Sequence, residues 1–227
     1  MPFQDLPARV ATVRDAIAHA RARGGHGQHV TLVAVTKTYG ADAPRAAWLA
    51  SVADVGENKV QEALGKMAEV KEPLRWHLIG HLQRNKVRQL DGFHLIHSMD
   101  SARLADALSA FGATRSAPLD VLMQVNVSGE DSKGGYTTAD VASEADRLRT
   151  LSGLRVCGVM TMAPLEANEA ELRSVFGGAR RCGELLRAAG HPATELSMGM
   201  SGDYEIAVEE GATLVRLGTV LFGARAA

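Results

Sequence analysis

At 227 residues, with 46% hydrophobic and 22% charged residues, the chain can bury a substantial core and lacks the composition of a disordered protein. Twenty-five basic and 26 acidic residues leave a formal charge of -1, which argues against nucleic acid or an anionic membrane as the main partner. No stretch reaches the ~18 consecutive apolar residues needed to span a bilayer, and no basic-then-apolar signal segment opens the sequence, so the expected location is cytoplasmic.

In chain order, helical periodicity predicts a helix over about residues 6–23, and an unbroken apolar run predicts the first strand at 31–36. Helices at 42–51, 58–70 and 85–90 then alternate with strands at 53–55, 75–79 and 94–97. The second half continues with helices at 101–111, 138–151, 169–189 and 203–210, separated by strands at 119–125, 154–159, 194–196 and 213–217. Eight strands interleaved with helices predict a parallel sheet, and no Pro/Ser-rich linker divides the chain, so residues 1–227 are expected to form one domain. An open doubly wound sheet usually carries a glycine-rich turn after its first strand. Here that turn reads Thr36-Lys37-Thr38-Tyr39-Gly40, so the expected fold is α/β, a single (β/α)8 TIM barrel with an N-terminal helix before the first strand.

Barrels build their sites from the loops at the carboxyl ends of the strands. Those ends supply Lys37, Glu57-Asn58, His81, His97-Ser98, Asn126 with Ser128, Met160-Thr161-Met162, Ser197 to Ser201, and Gly218-Thr219. Lys37 is the most informative. A Lys ending a buried strand either snorkels into water or, desolvated, presents a neutral amine that attacks carbonyls and builds Schiff bases. Leu196-Ser-Met-Gly-Met-Ser201-Gly-Asp203 and Leu214-Val-Arg216-Leu-Gly218-Thr219 are small-residue turns after the last two strands, a position where barrels often hold phosphate. The competing reading is that Ser201 caps the next helix and the glycines only turn the chain.

Period two places Arg216 on one strand face with Leu214 and Gly218, so it needs a partner: a phosphate, a carboxylate such as Glu195, or an aromatic ring nitrogen. His77 and His81 are four apart, but Gly80 interrupts and no third metal ligand is evident. Met160 and Met162 are packing groups or an apolar wall for a flat ligand, and Cys157 and Cys182 read as small buried hydrophobes. The basic run Arg84-Asn-Lys86-Val-Arg88 has no interleaved aromatics and reads as a polar helix face.

Seven segments together carry a family resemblance: Val33-Ala-Val-Thr-Lys37; Gly56-Glu-Asn58 with Val60-Gln-Glu62; Trp76-His-Leu-Ile-Gly-His-Leu-Gln83 with Asn85-Lys86; Val125-Asn-Val-Ser-Gly-Glu130 with Ser132-Lys133; Gly158-Val-Met-Thr161; Leu196 to Asp203; and Val215-Arg-Leu-Gly-Thr219 with Phe222-Gly223. From about residue 30 onward the chain resembles the pyridoxal-phosphate homeostasis proteins. The resemblance implies a barrel like the amino-terminal domain of alanine racemase, with pyridoxal 5'-phosphate (PLP) held as an aldimine on Lys37. It implies Ser197, Ser201, Gly218 and Thr219 about the phosphate, Arg216 facing the pyridine nitrogen, Asn58 beside the ring, and Met160 with Met162 near it. Two positions depart from the family pattern: Lys59 stands where an aromatic residue is common, and Gly202 replaces a commoner Ala.

The function implied is intracellular PLP homeostasis: buffering, carrying or delivering the cofactor, without robust catalysis. A racemase of this fold needs a second acid/base, usually from a separate β domain, which the sequence does not supply. Apo PLP-dependent enzymes are the expected acceptors and amino acids weak ligands, and a monomer is expected because the pocket is complete in one chain. The alternatives are a PLP-dependent amino-acid racemase or decarboxylase, and a Schiff-base aldolase acting on a sugar phosphate.

Overall fold

The computed structural model describes residues 3–130 and 133–223. Helix α1 (Leu6–Gly24) precedes β1 (Thr31–Val35), α2 (Asp42–Leu49), β2 (Asp54–Glu57), α3 (Val60–Glu69), β3 (Arg75–Leu78), a short 3-10 helix (Arg84–Gln89), β4 (Phe93–Met99), α4 (Ala102–Gly112) and β5 (Leu119–Asn126). The second half comprises β6 (Tyr136–Thr137), α5 (Val141–Leu148), β7 (Leu154–Met160), α6 (Glu169–Ala188), β8 (Glu195–Ser197), α7 (Tyr204–Glu209), β9 (Leu214–Leu217) and α8 (Thr219–Phe222). Successive barrel strands pair in parallel; β4 pairs with β5 and β1 pairs with both β2 and β9, so the sheet closes on itself. The two-residue β6 lies beside β5, outside the ring. The result is the expected (β/α)8 barrel with a helix in front. Strand β6 and helix α8 were not predicted, because two to four residues are too few for a periodicity to register.

Strand alternation divides the apolar residues between two cores. Leu32 and Ala34 face outward into the large cluster under the helices, whereas Val33 joins Leu95, Leu122, Met160 and Leu214 in a small cluster inside the barrel. Helix α1 buries Leu6, Val10, Val13, Ile17 and Ala20 along one face, at about 1.5–3 kcal/mol for each large side chain. Gly56 shows how tight the lumen is: a Cβ there would lie 3.0 Å from Ile79 Cδ1 and 3.2 Å from Val33 Cγ1.

At the amino-terminal end of the barrel, two cross-strand ion pairs follow from the register. Asp54 pairs with Arg75 on the neighbouring strand and Asp120 pairs with Arg155. Cys182 is buried as expected, but Cys157 is only half-buried, on β7 beside the partly exposed Asp120–Arg155 pair, with its thiol donating to the Arg155 carbonyl at 3.4 Å. Among the described residues no helix is long and apolar enough to cross a membrane.

Candidate functional site

The same alternation that buries Val33 carries Val35 and Lys37 up the inner face of β1 to the carboxyl-terminal mouth of the barrel. A cavity of about 830 Å³ opens there, within the range of small-molecule sites. Lys37, Asn58, Ser201, Arg216, Gly218 and Thr219 all line it. Met162 also lines it, while Met160 and Ser197 lie beneath, buried in the barrel. Lys59 is exposed and is not part of the lining.

The turn that carries Lys37 is held by a buried ion cluster. Thr38 has φ +70°, a conformation that a β-branched residue adopts only at a cost. Its backbone N–H donates to Glu62 Oε1 at 2.5 Å. The Lys66 ammonium, only 5% exposed, donates to Glu62 Oε1 at 2.8 Å, to Glu57 Oε1 at 2.7 Å and to the Thr36 carbonyl at 2.8 Å. Thr36 Oγ1 donates to the same Glu57 oxygen at 2.5 Å. Burial pushes the Glu57 carboxyl up despite these donors. Glu62, though burial opposes it, is held below the usual carboxylate range by Lys66 and the Thr38 N–H.

Sequence reasoning assigned no role to Glu57, Glu62 or Lys66. A signal was present for Lys66, which follows Val60 and Ala63 at three-residue steps on the buried face of α3.

Across the mouth, Arg216 is 5% exposed and faces inward from β9. Its Nη1 donates to Ser197 Oγ at 2.6 Å and its Nη2 to the Thr161 carbonyl at 3.0 Å. Glu195, one partner considered from the sequence, instead accepts from Thr213 Oγ1 at 2.6 Å, and among the described residues no carboxylate is hydrogen-bonded to this guanidinium. Burial lowers the Arg216 pKa to about 10, with Asp203 opposing the shift. Below Arg216, Ser197 Oγ also meets His97 Nδ1 at 2.8 Å.

The two loops beside Arg216 are tied together. Gly199 has φ +92°, and a Cβ there would fall 2.7 Å from Ala207 Cβ and 3.0 Å from Tyr204 Cα, so the loop lies directly against α7. Asp203 Oδ1 accepts the Met200 N–H at 2.6 Å, and burial raises the Asp203 pKa. Ser201 does not cap α7: its Oγ accepts the Val220 N–H at 3.3 Å, joining this loop to the one after β9.

The two histidines of the Trp-His-Leu-Ile-Gly-His string have unlike surroundings. His77 is buried inside the barrel, whereas His81 stands exposed at the mouth, with Nδ1 3.0 Å from Asp100 Oδ2. The donor set therefore combines two lysines, Lys37 and Lys133, with one buried arginine, hydroxyls and closely approaching backbone around a single cavity. Such a set suits a flat, anionic carbonyl compound.

A family model described as alanine racemase, N-terminal domain, matches residues 10–226. A pyridoxal phosphate homeostasis protein from Pseudomonas aeruginosa is 44% identical over 98% of this chain and 95% of its own length. PipY of Synechococcus elongatus, 38% identical, has been solved without PLP (TM-score 0.86) and with PLP bound (TM-score 0.85), each over 96% of this chain and 100% of that one. Alanine racemase from Corynebacterium glutamicum shares the fold at 18% identity, TM-score 0.70, over 94% of this chain and 61% of its own.

Proposed function

The chain belongs to the pyridoxal phosphate homeostasis protein family, and from that premise we propose that it holds PLP in the barrel mouth, covalently through the Lys37 amine. The observation that carries this reading is the convergence of Lys37, Arg216, Ser201 and Thr219 on one cavity of matching chemistry. The small residues after β8 and β9 let backbone N–H groups and the Ser201 and Thr219 hydroxyls approach a phosphate, with Gly218 leaving room between them. Arg216 then sits against the pyridine nitrogen, and Asn58 lies at the ring's side. Ser197 and Met160 support these groups from below.

When bound, the cofactor supplies a reactive aldehyde and an electron sink. In this site the second property is suppressed, since a guanidinium beside the ring nitrogen disfavours the protonation that makes the ring a strong acceptor of carbanion charge. Storage and delivery of PLP therefore fit the site better than racemisation or decarboxylation, with apo PLP-dependent enzymes as the receivers. Borohydride reduction of the PLP-loaded protein, followed by peptide mapping, is expected to place a pyridoxyl group on Lys37 and to be lost in Lys37→Ala. A reduced protein without that adduct overturns the proposal. Solvent-deuterium incorporation at the α-carbon of an amino acid, at turnover rates, would instead establish an enzyme.

A further inference from the structure

Arg216 is the terminus of a buried polar line that crosses the barrel. From Arg216 Nη1 the line passes to Ser197 Oγ (2.6 Å), from Ser197 to His97 Nδ1 (2.8 Å), from His97 Nε2 to His77 Nδ1 (2.9 Å), and from His77 Nε2 to Asp54 Oδ1 (3.0 Å). His97 and Ser197 are fully buried and His77 is 1% exposed. The line thus joins strands β9, β8, β4, β3 and β2, and it ends where Asp54 meets Arg75 at the opposite face of the barrel. The exposed His94 meets the His77 ring in a T-shaped contact, with centroids 5.5 Å apart.

The relay takes each imidazole as singly protonated, and on that premise the direction of every bond follows from the two ends. A guanidinium has no acceptor, so Arg216 donates to Ser197. An ionised carboxylate has no donor, so His77 Nε2–H donates to Asp54. With one proton on each ring, His77 Nδ1 is then an acceptor. His97 Nε2–H must donate to it, His97 Nδ1 accepts, and the Ser197 hydroxyl donates to that nitrogen. All four bonds point the same way, from the cation toward the carboxylate, and such chains polarise cooperatively.

We propose that Ser197, His97, His77 and Asp54 are positioning residues for Arg216, tying its guanidinium through neutral groups to a remote counter-charge. A carboxylate placed directly on Arg216 would occupy its fork of donors bidentately. The relay satisfies one N–H and the Thr161 carbonyl a second, fixing the side chain and leaving the remaining donors for a ligand in the cavity. Only the identity of that ligand, the PLP ring nitrogen, rests on the function proposed above.

The tautomers are readable without any ligand. Long-range nitrogen–proton NMR of the apo protein should show His77 and His97 each as the neutral Nε2–H form; an Nδ1–H or doubly protonated His97 overturns the relay. In PLP-loaded protein, His97→Leu cuts the line, and cofactor retention should weaken about tenfold, with an altered ratio of the bound chromophore's absorption bands. His97→Gln preserves an acceptor toward Ser197 and a donor toward His77, so it should restore both readouts to within about threefold. Equal loss in the two variants, or no change in His97→Leu, refutes the proposal. If His97→Leu fails to fold by circular dichroism, the wild-type tautomers and the Gln variant still decide. Failure of borohydride trapping at Lys37 would remove the PLP reading while leaving the tautomer result standing.

Discussion

Lys66→Met tests whether the buried ion cluster holds the Lys37 turn. Met has nearly the same length and fills the same volume, so the change removes the charge and three hydrogen bonds while keeping the packing. Glu57, with 0% exposure, then keeps, among the described residues, only the Thr36 hydroxyl as a donor, and its Oε2 has no partner among them. Removing one member of a buried pair costs about 3–5 kcal/mol. At roughly 2–4 °C per kcal/mol for a chain of this size, the melting temperature should fall by about 6–20 °C.

Glu57 has a folded pKa raised by burial, so it can escape part of this penalty by protonating. A raised carboxyl pKa means that stability is lost as pH rises through it, and the defect should therefore grow on going from mildly acidic to neutral pH. Removing the stranded charge as well, in Lys66→Met with Glu57→Leu, should recover much of the loss. Thermal unfolding at several pH values measures all three quantities, and amide exchange at Thr38 reports the turn itself. A drop below about 1 kcal/mol at neutral pH, or a double variant as unstable as the summed single variants, would refute this account.

Acid should weaken the fold in two stages. Burial holds His97 well below its ordinary value of 6.5, so the unfolded chain binds the extra proton first and stability falls as pH drops below about 6.5; burial lowers His94 in the same direction, so His97→Gln should reduce that slope in urea titrations without removing it. Asp54, although burial opposes it, is held down to about 2 by His77 and Arg75, so a further loss follows as pH falls from 3.8 toward 2. Gly80→Ala places a Cβ 2.4 Å from the Asn58 carbonyl and 2.6 Å from Asn58 Cα, and this backbone clash should cost about 1–3 kcal/mol and weaken PLP retention by equilibrium dialysis. Gly202→Ala, with nothing within 4 Å of the new methyl, should be close to neutral in both assays. Ser201→Ala should raise the PLP dissociation constant by about fivefold to tenfold, through loss of a hydroxyl at the phosphate loops, and should lower stability by about 0.5–2 kcal/mol because the Val220 N–H loses its acceptor.

The order of elements was legible because each strand is a short apolar run and each helix has its own apolar stripe. Period two along 214–218 put Arg216 on one strand face with Leu214 and Gly218, the place of Lys37 at the carboxyl end of the first strand put it at the barrel mouth, and the small residues after β8 and β9 marked the loops beside them. What meets across the lumen was not legible. Strand stagger and the register shifts at Trp76/His77, Ile96/Met99 and Val121/Leu122 set which inward side chains share a level, and no local pattern encodes them. Closure therefore decided that Ser197 sits under Arg216, that His97 and His77 continue the line to Asp54, and that Lys66 reaches back from α3 to Glu57 and the Thr36 carbonyl. Alternation is a property of one strand, so the sequence by itself determined which face each group occupies. Hydrogen-bond partners come from strands up to a hundred residues apart, and only the closed barrel brings them within 3 Å.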